Sequence, residues 1–493
     1  MSDHLDPIRS MRQRQRVSVL DADEVRRVHE AALDILQRTG VGTSSDMLLK
    51  LMADHGQSVD FRDKRVRFDP TFVEEKRKLA PRTFTLAGRH PARDTVIDGE
   101  RTYLSPDGCA PSIIDLETGR RRGTTKADLV AVTRLGDALP QIGFLWRSVS
   151  AEDTPVESRA LHEVEAVLRN TTKHIQTGSG VDGPSAGGVV ELCRAVAGGS
   201  DELRQRPILS TNQCIISPLF WDAGPVDAIA TYAEAGIPVS IISMALACAT
   251  APGTVAGLLA LTIAEILSGL AILHTLSPGA KAVCTGYPSS IDMRSGGLNL
   301  ATGPDDAMAH MACTQVLHAL GLPCAAGSQG TGAKRSNWQS GVQSMWSAAT
   351  NMFLPPDLLS GAGGIYNSTA FSPAQLVLDC EVFDCTIRWA EGYPFDDEHL
   401  GIDVVDRVGP GGHYLGQRHT RRHVGEFWRA RFMDTSSWEE WEYAGEPDPA
   451  DAALAEARRI LAESQPEPFD EGMSAELTRI VETYERGALD RPR

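Results

Sequence analysis

Eight short apolar segments, separated by intervals long enough for a helix, run through the middle of this chain: residues 102–108, 142–149, 174–178, 208–216, 238–245, 282–287, 324–329 and 358–365. Segments of this length, rich in Val and Ile, read as parallel strands when helical stretches lie between them. Most end in loops rich in Gly, Ser, Asn or Gln, and helical patterns follow at 126–137, 158–168, 186–197, 223–235, 254–273, 306–320, 336–352 and 373–389. Eight such units predict an α/β fold, a (β/α)8 TIM barrel, whose chemistry gathers at the carboxyl ends of the strands. Residues 1–100 are expected to form a mainly helical N-terminal cap, 101–390 the barrel, and 391–493 a C-terminal helical extension. Residues 1–16 read as a disordered or loosely docked arm.

The bulk composition narrows the function classes. A net charge of −17 in 493 residues argues against nucleic acid, whose phosphates need basic patches. The longest apolar stretch, 255–273, carries Thr262, Glu265 and Ser268 and reads as a buried barrel helix rather than a membrane span. The first residues are polar and charged, without the apolar centre of a signal peptide, so a cytoplasmic protein is expected. Nine cysteines without a CxxC pair, most of them in apolar segments, read as small buried hydrophobes; Cys380 and Cys385 fit no common zinc spacing.

The loops after the strands supply rings and amides. The rings there are Trp146, Tyr287, Trp338, Tyr366 and Phe371 and the amides Gln176, Asn212, Gln213, Gln329 and Asn367; of these Trp146, Tyr287, Tyr366, Phe371, Gln176, Gln213 and Gln329 are the site candidates. No pair of carboxylates stands out as an acid/base couple, and no HxxEH or P-loop motif is present. Rings and amides suit a soft cation such as a quaternary ammonium, which has no N–H to donate. Lys334, with Arg335, follows the seventh strand and can meet an anion. His413 and His419 flank a Gly-rich turn, and His413 can cover the site. Residues 178–183 match GxGxxG, but without the acidic residue a dinucleotide site requires; a cluster of turn glycines is the simpler reading.

Several stretches together resemble the trimethylamine methyltransferase family: RRVHEAALDILQRTGV near the start, RRRGTTKADL at 120–129, Ser217-Pro218-Leu219, ATAPGTVAG at 249–257, FSPAQLVLDCEVFDC at 371–385, and 411–420 with the tryptophans that trail it. The resemblance extends from about residue 20 to about 485. It implies a barrel that removes a methyl group from an amine and passes it to the cobalt of a corrinoid (cobalamin) carried by a separate partner protein, with no cofactor tightly bound. Founding members of the family carry pyrrolysine in the barrel. The comparable loop here, SQGTGAK at 328–334, holds ordinary residues, which points to the non-pyrrolysine branch and to quaternary amines such as glycine betaine. A corrinoid protein is then the expected transient partner, and a homo-oligomer is compatible with the extra helical cap. Two other readings stay open: a barrel enzyme working on a phosphate or nucleotide, and a non-catalytic betaine-binding protein.

Overall fold

The computed structural model describes residues 6–12, 16–178, 180–300 and 303–489. Eight parallel strands form the barrel: β1 (Arg101–Pro106), β2 (Phe144–Trp146), β3 (His174–Thr177), β4 (Leu209–Cys214), β5 (Val239–Ser243), β6 (Ala282–Gly286), β7 (Cys324–Ala325) and β8 (Leu358–Ala362). Strands β2 to β7 pair in sequence, and β8 pairs with β1. Single parallel bridges, Leu104 to Ile142 and Ser328 to Ser360, close the two remaining seams. The predicted barrel is therefore present and closed.

Eight helices form the outer ring: α1 (Lys126–Ala138), α2 (Arg159–Arg169), α3 (Gly183–Ala197), α4 (Ala223–Glu234), α5 (Val255–Leu276), α6 (Pro304–Ala319), α7 (Trp338–Phe353) and α8 (Pro373–Glu391). Their starts follow from capping chemistry. Thr125 accepts from Asp128 N in the first turn of α1, Asn337 from Ser340 N in that of α7, and Asp182 from Ser185 N at α3. The GxGxxG stretch thus does open a helix, but the Asp182 carboxylate already occupies the N–H groups a phosphate would need. Ser179 of that motif lies outside the described residues.

Helix α5 is long and apolar enough to cross a membrane, yet it is almost wholly buried. A helix that is apolar all round belongs inside a protein; here the N-terminal helices Ala22–Arg38 and Pro70–Arg77 cover its outer side. Gly269 lets it press against β5, since a Cβ there would lie 2.4 Å from Ile241 Cγ2. The polar residues that interrupt it have partners. Glu265 accepts from Ser217 Oγ, Ser243 Oγ and Leu219 N, and Ser268 Oγ accepts from Trp221 Nε1.

The strand pleat sorts side chains between lumen and ring. Leu104, Leu145, Ile175, Leu209, Val239, Ile241, Cys284 and Leu359 join the main core outside the sheet. Tyr103, Phe144, Val283, Ala325 and Leu358 point the other way and fill the lower lumen with Leu86 and Ile97. Those last two come from the hairpin Phe84–Leu86/Thr95–Ile97, which stoppers the floor of the barrel. Above them His174 Nε2 meets Ser210 Oγ at 2.9 Å, and Ser240 Oγ meets Thr285 Oγ1 at 2.6 Å.

The N-terminal region has a small sheet as well as its three predicted helices, and that sheet takes in Phe220–Trp221 from the loop after β4. The expected loose arm is docked where it is described: Met11–Arg12 pairs antiparallel with β1. Residues 1–5 and 13–15 lie outside the described residues. In the C-terminal extension, helix Pro449–Glu463 packs on α8 and α1, and helix Glu471–Leu489 on α3 and α2.

Candidate active site at the barrel mouth

At the carboxyl ends of the strands the lumen widens into a chamber. Trp146, Ile242 and Tyr287 belong to one cluster there, roofed by Leu298 and Leu300 from the loop after β6. Trp146 lies against Gly108: a Cβ at that glycine would come within 2.3 Å of the indole Cε2. The Tyr287 hydroxyl bonds Ser360 Oγ at 2.7 Å, and the His310 ring meets the Tyr287 ring edge-on at 6.2 Å. Burial depresses His310 to about 4, so this neighbour stays neutral. Gln176 is buried on the pleat face opposite Ile175, which places it in the lumen beside Trp146, its register partner.

Three further groups complete the chamber, each buried and lacking a hydrogen-bond partner. They are the Asp107 Oδ2, the Asn212 Nδ2 and the Trp146 Nε1. Asp107 follows β1; its N–H bonds Ala362 O and its Oδ1 accepts from Gly108 N. Burial pushes this carboxyl up to about 6, with Ser368 and the Gly108 N–H pulling the other way. Burial raises the phenol of Tyr287, and the Asp107 charge adds to that rise. Buried polar groups are satisfied in the great majority of cases, so unpaired donors and an unpaired acceptor at one end of a lumen mark a place for a ligand or water. The rim beside Asp107 is strained. Tyr366, Asn367 and Ser368 are consecutive non-glycine residues in the left-handed region, with φ of 53°, 52° and 63°.

A buried ion pair braces the wall beside Trp146. Arg147 Nη1 donates to Glu163 Oε1 at 2.6 Å, and its Nη2 to Cys109 Sγ at 2.8 Å. Glu163 also accepts from Ala151 N. One guanidinium thereby fixes the loops after β1 and β2 to α2.

The structure brings together Trp146, Gln176 and Tyr287 from the residues expected at the site and sets the others elsewhere. Gln213 shares the outer pleat face with Thr211: its Nε2 bonds Thr211 Oγ1 and Gly180 O, so Asn212, one residue earlier, is the amide that faces the lumen. Gln329 reaches outward to α8, its Nε2 donating to Asp379 O at 2.6 Å. Asp379 itself is buried, accepts from Gly363 N and Gln375 Nε2, and is pushed up to about 7 by burial. Phe371 has no exposed surface and packs in the main core, against Gly363. Tyr366 stands outside the chamber, its ring taken by Lys334 Nζ at 4.8 Å and Arg121 at 5.9 Å. Lys334 also donates to Gly332 O, so both its contacts are on the rim. His413 is exposed in the C-terminal extension. A large cavity of about 890 Å³ between α7, α8 and the start of helix Pro449–Glu463 lies outside the ring, away from the strand ends.

A closed β/α barrel with an aromatic, amide-bearing chamber at its mouth and a stoppered floor defines a one-ended barrel enzyme architecture. The chain belongs to the trimethylamine methyltransferase (MTTB) family, which matches residues 2–487. It is 31% identical over 464 residues to a trimethylamine methyltransferase of Desulfitobacterium hafniense strain DCB-2, covering 94% of this chain and 93% of that one. It is equally 31% identical over 467 residues to a glycine betaine methyltransferase of D. hafniense strain Y51, with 94% and 96% covered. Among solved structures, the Methanosarcina barkeri monomethylamine methyltransferase aligns with a TM-score of 0.51 at 11% identity, covering 95% of this chain and 87% of that one. That likeness is one of fold.

Proposed function

We propose that the protein demethylates a quaternary amine, glycine betaine or a related betaine, by transferring a methyl group to Co(I) of a corrinoid presented by a partner protein. The observation that carries this reading is the pairing of two aromatic rings, Trp146 and Tyr287, with the buried Asp107 carboxylate, whose Oδ2 has no hydrogen-bond partner. Ring faces and one anion suit a cation that cannot donate a hydrogen bond. The unpaired Asn212 Nδ2 and Trp146 Nε1 are donors suited to the carboxylate of a betaine. The chamber thus offers complements to both charges of a zwitterion.

The electronic demand of the reaction matches this plain set of groups. A quaternary nitrogen leaves as a neutral amine, keeping the electron pair of the broken C–N bond, while the acceptor supplies the pair for the new bond to carbon. No proton moves. The side chains therefore act by orienting one methyl group outward and by excluding water. The rim fits a macromolecular visitor: Val181, Ile216, Met244 and Met293, on loops after β3 to β6, are exposed by 63%, 54%, 46% and 73%. Exposed apolar side chains on successive loops of the mouth suit a protein-binding face.

The test is methyl transfer from a panel of betaines, choline, carnitine and trimethylamine to free Co(I) corrinoid, followed by visible absorbance. Transfer from a quaternary amine and none from trimethylamine is the expected result. Ligand binding with no transfer to any corrinoid would leave a non-catalytic binding protein as the better reading.

A further inference from the structure

The C-terminal extension contains a second constellation, remote from the barrel mouth in sequence. From Glu391 to Ala452 no side chain is fully buried. The short helices Asp397–Leu400, Ile402–Val408 and Arg418–His423 lie in this stretch. A segment of this length without a core of its own needs a staple or a partner to hold one shape.

Histidines converge where a staple would act. His399, from the first short helix, and His423, from the last, bring their rings to 5.1 Å. His419, four residues before His423 on the same helix, lies 4.3 Å from it. Glu426 sits between the first two: its Oε1 is 2.6 Å from His423 Nδ1, and its Oε2 is 3.6 Å from His399 Nε2. One ligand atom from each of His399, His423 and Glu426 lies within 4.8 Å of the others.

The far nitrogens are also claimed. His399 Nδ1 meets Asp396 Oδ1 at 2.6 Å, and His423 Nε2 meets Glu398 Oε1 at 3.3 Å. Each imidazole therefore faces a carboxylate oxygen with both of its nitrogens. A neutral imidazole carries one N–H and cannot satisfy two acceptors; an imidazolium, with two N–H groups, can. A metal-bound imidazole does satisfy this layout: one nitrogen binds the ion and the other donates to a carboxylate that fixes the ring.

We propose that His399 Nε2, His423 Nδ1 and Glu426 form a site for a divalent transition metal of the zinc type, with Asp396 and Glu398 orienting the two rings. Two imidazoles and a carboxylate are a zinc donor set, with a fourth position left for water. Bonds of about 2.0–2.1 Å in a tetrahedron put ligand atoms roughly 3.3 Å apart. The three ligand atoms, within 4.8 Å of one another, would have to draw to that spacing around the ion. The other His/Cys/Asp group, His318, Cys324 and Asp357 at the barrel floor, is already spent. Asp357 accepts from Cys324 N and Gly99 N, which ties β7 and β8 to the floor.

The test uses the full chain after dialysis against a chelator. Zn2+ alone is titrated calorimetrically, and Co2+ alone is followed by its visible ligand-field bands; neither readout requires turnover. The expected result is saturable binding of about one equivalent, with the band pattern of a four-coordinate ion. H423Q and E426Q are each expected to weaken binding at least ~10-fold, H55Q to leave it unchanged, and circular dichroism to show that all three variants fold. Absence of saturable binding by the wild type, or affinity in H423Q and E426Q equal to that of the wild type, overturns the proposal.

Discussion

The Trp146 indole and Gly108 are in direct contact, at a separation that leaves no room for a methyl group on the glycine. Gly108→Ala is therefore expected to drive the indole out of its position at an overpacking cost of about 1–3 kcal/mol. The affinity for a quaternary amine should fall by ~10-fold, with a shifted tryptophan emission maximum. A variant with unchanged emission and unchanged KM would show that the ring's position is irrelevant to the site.

Asp107 links stability to pH in one direction and ligand binding in the other. Its carboxyl is raised from 3.8 to about 6 by burial. The folded protein thus holds this proton more tightly than the unfolded chain, and ionising Asp107 inside the fold is destabilising. That penalty is absent below about pH 4, grows as pH rises through 6, and reaches roughly 3 kcal/mol above it. Asp107→Asn should raise the melting temperature at pH 8 and leave it nearly unchanged at pH 4. A quaternary cation wants the ionised form, so its affinity in the wild type should drop as pH falls through about 6. A KM that stays flat from pH 5 to 8 removes Asp107 from the cation's surroundings.

Tyr287 separates ring from hydroxyl. Tyr287→Phe loses only the bond to Ser360, and the KM for a quaternary amine should change less than ~3-fold. Tyr287→Ala loses the ring face, a term of roughly 0.5–2 kcal/mol, and KM should rise ~3- to 30-fold. Steady-state kinetics on the two variants gives the comparison, and equal effects would count against a ring-face contact.

Asn212 and Gln213 are neighbours on β4 with opposite expectations. Asn212→Ala removes an unpaired lumen donor and should raise KM for a betaine by ~10-fold while leaving binding of an uncharged-tail analogue such as choline nearly unchanged. Gln213→Ala breaks bonds to Thr211 and Gly180 outside the lumen and should lower the melting temperature with little effect on KM. The reverse pattern would place the pleat the other way round.

Glu265 accepts three hydrogen bonds that join α5 to the loop Ser217–Leu219 and to β5. Glu265→Ala leaves those buried donors without an acceptor, and a loss of roughly 3 kcal/mol in denaturant unfolding is expected.

The barrel was readable from the chain because strand length, apolar content and helix spacing repeat eight times, and each of the eight segments holds a barrel strand. The site was readable only in part, and the pleat explains why. Residue type told that amides end the strands, but alternation by one position decides whether an amide enters the lumen; Gln213 and Asn212 differ in nothing else. Gln329 and Phe371 sit after β7 and β8, where the chain leaves regular pleating, so their direction depends on α8 packing. Asp107 passed unnoticed because a lone acid after a strand resembles a turn residue. Its run SPDG carried the signal: a carboxylate at a strand end next to a glycine. The histidine cluster is not legible in the sequence, because His399 reaches His423 from a turn 24 residues away.

The hairpin at the floor leaves the chamber with a single doorway. On the proposed reaction, the amine enters by the route that its methyl group later uses to depart, and a protein acceptor seated on the mouth would make turnover a queue: small molecule in first, large acceptor second, and the stripped amine released once the acceptor has gone.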